Sequence, residues 1–224
     1  MNMSVDSTAI RRVLTSILCL MLAACSSLRP AETAPLTLYS LDSPKVRSQP
    51  AADHAPTLLV NPPLAAPGFD SQHIVYTRVA HQLDYFARSQ WIDTPARMLA
   101  PMIVDVLAAS GSFQAVAPAT SAAAGDLRLT SEIVRLEHDF TTQPGQLRFT
   151  LRATVLDNAT RKVLAWREFD EVVVPDSGSA YDGIVAANRA VQLGLKDLNG
   201  FCADVVQQWQ TTRKVEQVDV SLKK

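Results

Sequence analysis

The sequence predicts a single α/β domain of the α+β kind, with a mostly antiparallel sheet and two main helices packed on one of its faces. Three patterns carry that expectation. Leu147, Phe149, Leu151, Ala153 and Val155 alternate with Arg148, Thr150, Arg152 and Thr154, the period of a strand with one apolar face and one wet face. Ile184, Val191, Leu195, Leu198, Cys202, Val205 and Trp209 recur at spacings that place them on one stripe of a helix. Thr94-Pro95, a capping hydroxyl followed by a residue with no donor to leave unpaired, precedes Met98, Leu99, Met102, Ile103, Val106 and Leu107 at helical spacing.

In chain order, residues 1–24 read as an address rather than as part of the fold. Arg11 and Arg12 precede an apolar run, Val13 to Ala24, that is too short to cross a hydrocarbon core of about 30 Å. A positive start, an apolar middle and small residues at the end are the layout of a secretory signal peptide. Within it, Leu22-Ala23-Ala24-Cys25 resembles the bacterial lipobox. That resemblance implies a diacylglyceryl group on the Cys25 thiol and a further acyl chain, such as palmitate, on its amine. Two or more chains, at about 0.8 kcal/mol per buried CH₂, hold a protein on a bilayer. Ser26 follows where an aspartate would mark inner-membrane retention, which resembles the pattern of outer-membrane lipoproteins. Residues 25–35, small, polar and proline-bearing, are then a lipidated tether to the domain at 36–209.

Leu36 to Leu41 alternates and reads as a first strand, followed by a proline-bearing linker over 43–56. Thr57 to Asn61 is a short strand ended by Pro62-Pro63, which cannot donate to a ladder. His73 to Val79 and Gln82 to Phe86 are β-branched and aromatic. The helix opened at Thr94 ends at Ser110-Gly111, and Pro101 inside it predicts a kink or a start displaced toward residue 100. Phe113 to Val116 returns as a strand. Apolar residues then hold odd positions at Leu127, Leu129 and Ile133 but even ones at Val134, Leu136 and Phe140, which predicts a β-bulge near residue 133. Turns at 143–145 and 157–160 join this strand, the 147–155 strand and Lys162–Val174 into a meander. The last helix runs from Ala180 to Trp209, interrupted in its stripe by Asn188 and weakened by Gly194 and Gly200; residues 210–224 form a flexible charged tail.

A net charge of −1 gives no field for a phosphate backbone, so no nucleic-acid partner is expected. His54, His73, His81 and His138 show no metal-ligand spacing, there is no phosphate-cradling glycine loop, and Gly178-Ser179 lacks the frame of a nucleophile elbow. No cofactor, metal or catalytic residue is therefore assigned. Glu132, Glu137, Asp139, Glu168, Asp170 and Glu171 interleave with Arg128, Arg135, Arg148, Arg152 and Arg167, the composition of cross-strand charge pairs rather than of an acid–base pair. Cys202, the last cysteine left to the mature domain, reads as a small buried hydrophobe. Trp91, Trp166 and Tyr85 fit either the core or an apolar contact.

Read together, Tyr85-Phe86-Ala87-Arg88-Ser89-Gln90-Trp91, Pro95, Met98-Leu99, Ala109 to Val116, Asp126 to Leu129, Glu137 to Phe140, Leu151 to Val155 and Ala186 to Ala190 resemble the ABC-type transport auxiliary lipoprotein family over roughly residues 36–209. The resemblance implies a non-enzymatic, periplasm-facing lipoprotein. It would act with an MCE-domain protein and, through it, an ABC permease and ATPase that move lipid between the two membranes. The task so implied is docking that assembly at the membrane that holds the anchor, expected to be the outer membrane, by protein–protein contacts, with Tyr85 and Trp91 as candidate contact residues and self-association left open. The alternative is a periplasmic lipid carrier, which needs an internal apolar cavity of about 300–1,000 Å³. A hydrolase would need His138, Asp139 or a serine to meet in one cleft.

Overall fold

The computed structural model describes residues 11, 12, 15 and 35–222. Most of the expected signal peptide, Cys25 and nearly all of the expected tether thus lie outside the described residues. The unit Leu36–Lys224 contains nine strands and two helices. The strands are β1 (Thr37–Tyr39), β2 (Thr57–Val60), β3 (Leu64–Ala65), β4 (His73–Val79), β5 (Gln82–Trp91), β6 (Ala115–Pro118), β7 (Leu127–Asp139), β8 (Gln146–Asp157) and β9 (Val163–Val173). The helices are α1 (Pro95–Ala108) and α2 (Ala180–Leu222).

Strand β7 organises the sheet. One of its edges pairs antiparallel with β8 along its whole length, and β8 pairs antiparallel with β9. Its other edge is shared by β2, β3 and β4 in turn, all parallel to it. Beyond β2 lies β6, and beyond β4 lie β5 and then β1. The sheet is mixed and open, and its longest ladders are the antiparallel ones of the meander. The bulge expected near residue 133 is present as a register shift between Ile133 and Arg135. It moves the core-facing set from Leu127, Leu129 and Ile133 to Leu136 and His138, so both ends of a long strand can bury their apolar side against the same helices.

Helix α1 starts at Pro95 and runs through Pro101 without interruption, so the displaced start is not seen. Pro101 and Arg97, the residue whose carbonyl loses its helical partner there, are both exposed. Thr94 makes no side-chain cap; Asp93 instead accepts the Thr94 N–H at 2.8 Å and pairs with Arg97 at 3.2 Å. The helix ends at Ala108, and the chain turns away through Gly111, whose φ of 75° few other residues adopt. There the 43–56 linker is bound along the helix end, with the Gln49 N–H on the Ala109 carbonyl and the Ala52 N–H on the Gly111 carbonyl.

Helix α2 buries Ile184, Val191, Leu195, Leu198, Cys202 and Val205 against β8 and β9, with Leu99, Met102, Ile103 and Val106 of α1 in the same core. Gly194 is part of that contact: a Cβ there would lie 2.8 Å from the Phe149 ring. Asn188 breaks the stripe because it serves another element. Its side-chain oxygen accepts the Asp42 N–H at 2.6 Å and its amide donates to the Ser40 carbonyl at 3.3 Å, fastening the chain after β1. The backbone stays helical to Leu222, beyond the end expected at Trp209.

Candidate contact surface

The titratable groups that could have formed a catalytic centre are dispersed. His54 and His81 sit exposed on turns, His73 lies beside Tyr85 with ring centroids 4.6 Å apart, and His138 is buried beneath α2. The side chains of His138 and Asp139 take opposite sides of β7: the imidazole stacks on Phe140 at 3.9 Å, while Asp139 accepts from Thr141 at 2.8 Å. Burial drives the His138 pKa down against the opposing pull of Asp139, and its Nδ1 has no hydrogen-bond partner. The space beside it is about 10 Å³, room for one water and far short of an acyl chain. Among the described residues no three His, Cys, Asp or Glu side chains converge as metal ligands.

Most of these carboxylates fall into ion pairs on the sheet face away from the helices, cross-strand except for Arg135 with Glu137, which lie two residues apart along β7. Arg152 bridges Glu132 at 3.1 Å and Glu168 at 2.8 Å. Arg148 meets Asp170 at 3.3 Å, and Arg135 meets Glu137 at 3.3 Å. The Thr150 hydroxyl donates to Asp170 at 2.6 Å and, with Arg148, holds that carboxyl below its usual range. Four residues depart from the pairing. Asp139 accepts from Thr141 instead. Arg128 bonds to Asn61 and Asn158, Arg167 lies 5.1 Å over the Phe201 ring, and Glu171 stands near Asp197, where burial and neighbouring carboxylates raise its pKa. Cys202 is buried and its thiol is pushed up to about 12 by desolvation.

An apolar surface forms instead where β1 lies along β5. Leu38 pairs with Gln90 and Tyr39 with Trp91, so the pleat sends Leu38 outward and Tyr39 and Trp91 inward. Trp91 is 2% exposed, which moves it from the contact pair expected from sequence into the core. Tyr85 stays at the surface. Between them the β4–β5 register shifts, His73 pairing with Gln90 but Val75 with Tyr85, which brings Tyr85 against His73 on the Leu38 side. Leu36, Leu38 and Tyr85 are 50%, 54% and 45% exposed, and among the described residues β1 has no strand on its far side. Sequence reasoning passed over Leu36 and Leu38; the signal was apolar residues on both faces of one short strand. Trp166, 64% exposed on β9, belongs to the opposite edge of the sheet.

The sequence profile of the ABC-type transport auxiliary lipoprotein component matches residues 39–197. Among solved structures, a Xanthomonas campestris protein of family DUF330 is similar at 25% identity and a TM-score of 0.67, over 78% of this chain and 99% of that one. An uncharacterised protein of known structure is similar in fold at 10% identity and a TM-score of 0.61, over 75% of this chain and 99% of the other. No curated protein matches the sequence.

Proposed function

The chain belongs to the ABC-type transport auxiliary lipoprotein family, and from that premise we propose that it docks an MCE-domain assembly at the outer membrane. The family places it in the bacterial envelope as an auxiliary to an ABC-type transport system and is not an enzyme family. In the proposal, acyl chains on Cys25 hold the domain on the bilayer, and an MCE-domain protein connects it to the permease and ATPase. Lipid passes between the membranes without a covalent step on this chain.

The exposed Leu36, Leu38 and Tyr85 side chains beside the edge of β1, which no described strand covers, are the observation that carries the docking reading. An apolar cluster on such a strand supports a protein contact, in which apolar contact and strand pairing can act together. The carrier alternative needs an enclosed apolar cavity, and the gap beside His138 in the described sheet–helix core is about 10 Å³. The test is co-purification from native membranes of the acylated chain and its Leu38→Asp, Tyr85→Glu variant. We expect the MCE-domain protein with the first and a loss of at least tenfold with the second, at equal abundance and melting temperature. Equal recovery with both would remove the Tyr85 face as the contact, and absence of an MCE-domain protein from either would remove the docking reading.

A further inference from the structure

A second recess lies toward the other end of α2, where the helix runs along the β8–β9 turn. From Asn188, which meets the start of the domain, to Trp209 the helix advances about 32 Å at 1.5 Å per residue, so this recess is separate from the Tyr85 face. It is an open cleft of about 410 Å³. Leu164, Val205 and Trp209 supply apolar surface. The indole is fixed in place: its Nε1–H donates to one oxygen of Asp157 at 2.9 Å, and the other oxygen accepts from the Thr160 N–H at 2.8 Å and hydroxyl at 2.9 Å. Among the described residues Asp157 is the one acid lining the cleft, and its oxygens are already occupied. Two cations line it as well. Lys162 comes from the turn, and Arg213 from the helix, with its guanidinium 4.6 Å from the centre of the Trp209 ring.

We propose that this cleft binds a small anionic amphiphile, with a phosphate or carboxylate held by Lys162 and Arg213 and an aliphatic stem laid on Leu164, Val205 and Trp209. The volume lies within the range of small-molecule sites, about 300–1,000 Å³. The indole shields one face of the guanidinium, which strengthens its charge-assisted bond to an anion. An uncharged amphiphile would leave both cations unmatched, and an inorganic anion would leave the apolar floor wet. The proposal is independent of the docking reading, since it needs no partner chain.

The test uses the whole mature chain carrying Cys25→Ser, so that no detergent is present, and Trp166→Phe, so that the cleft indole and the buried Trp91 are the remaining emitters. Octyl phosphate, octanoate, octyl glucoside and inorganic phosphate are titrated below micelle formation while fluorescence is read. We expect a saturable change with octyl phosphate, octanoate or both, identifying which head group is preferred, and at least tenfold weaker binding of octyl glucoside and inorganic phosphate. Lys162→Gln with Arg213→Gln should weaken the anionic probe at least tenfold with the melting temperature unchanged; Lys162→Gln alone, on an exposed turn, gives the same direction if the double variant fails to fold. Three results would overturn the proposal: no saturable change with either anion, octyl glucoside binding as well as they do, or undiminished binding when the cations are removed.

Discussion

One methyl group added at Gly194 and one at Gly200 should change stability in opposite directions. Both glycines lie inside α2, where replacement by alanine gains up to about 1 kcal/mol of helix propensity. At Gly200 nothing lies within 4 Å of the new Cβ, so Gly200→Ala should keep that gain, about 1 kcal/mol. At Gly194 the new Cβ meets Cε1 of Phe149 at 2.8 Å and Cδ1 at 3.2 Å. That ring, in β8, is fully buried and cannot swing away. Overpacking of this kind costs about 1–3 kcal/mol, which leaves Gly194→Ala destabilised by up to about 2 kcal/mol after the propensity gain. The difference between the variants, about 1–3 kcal/mol, isolates the helix–sheet contact because the propensity contribution cancels. Urea unfolding of the domain from Leu36 onward, followed by far-UV circular dichroism with unchanged m-values, reads it directly. Equal stabilisation by both substitutions would refute the close packing of α2 on Phe149.

Three further outcomes follow from buried or bridging side chains. Burial lowers the pKa of His138, so the unfolded chain binds a proton that the folded one resists; stability should hold above pH 6.5 and fall as the pH drops from there toward the folded pKa. His138→Leu should flatten that decline, and an unchanged slope between pH 6.5 and 5 would exclude His138 as its source. Asn188→Ala removes the acceptor of the Asp42 N–H and should lower local protection by about 1 kcal/mol, seen as roughly fivefold faster hydrogen exchange at Asp42. Exchange as slow as in the parent would show that the bond does not hold the chain after β1. Cys202, with its thiol pushed up to about 12, should stay inert to a thiol reagent at pH 8 until denaturant is added, whereas reaction in the native state would contradict its burial.

The elements legible in the sequence are those whose own periodicity fixes their burial. The alternation at 147–155, the α2 stripe and the phase change at residue 133 each report which side of an element is wet, and the bulge between Ile133 and Arg135 follows from that alone. Partners are not written in the same way. Alternation says nothing of which strand lies alongside, so the parallel pairing of β1 with β5 and the sharing of one β7 edge by β2, β3 and β4 were out of reach. β3, two residues long, is too short to carry a period. Trp91 and Tyr85 illustrate the same limit within the candidate surface. Both are aromatic and six positions apart on one strand, and only the register shift opposite Val75 decides that one enters the core and the other faces out. The cleft at Trp209 depended on the helix continuing beyond the sheet-packed stripe, where polar composition gives no apolar signal.

The central claim is that this chain is an auxiliary held on a bilayer by its own lipid. Intact-mass analysis of the mature N-terminus, on protein taken from the native host's membranes, tests it most directly. The account predicts a chain beginning at Cys25 and carrying a diacylglyceryl group and a further acyl chain. A water-soluble chain with an unmodified amino terminus would contradict it.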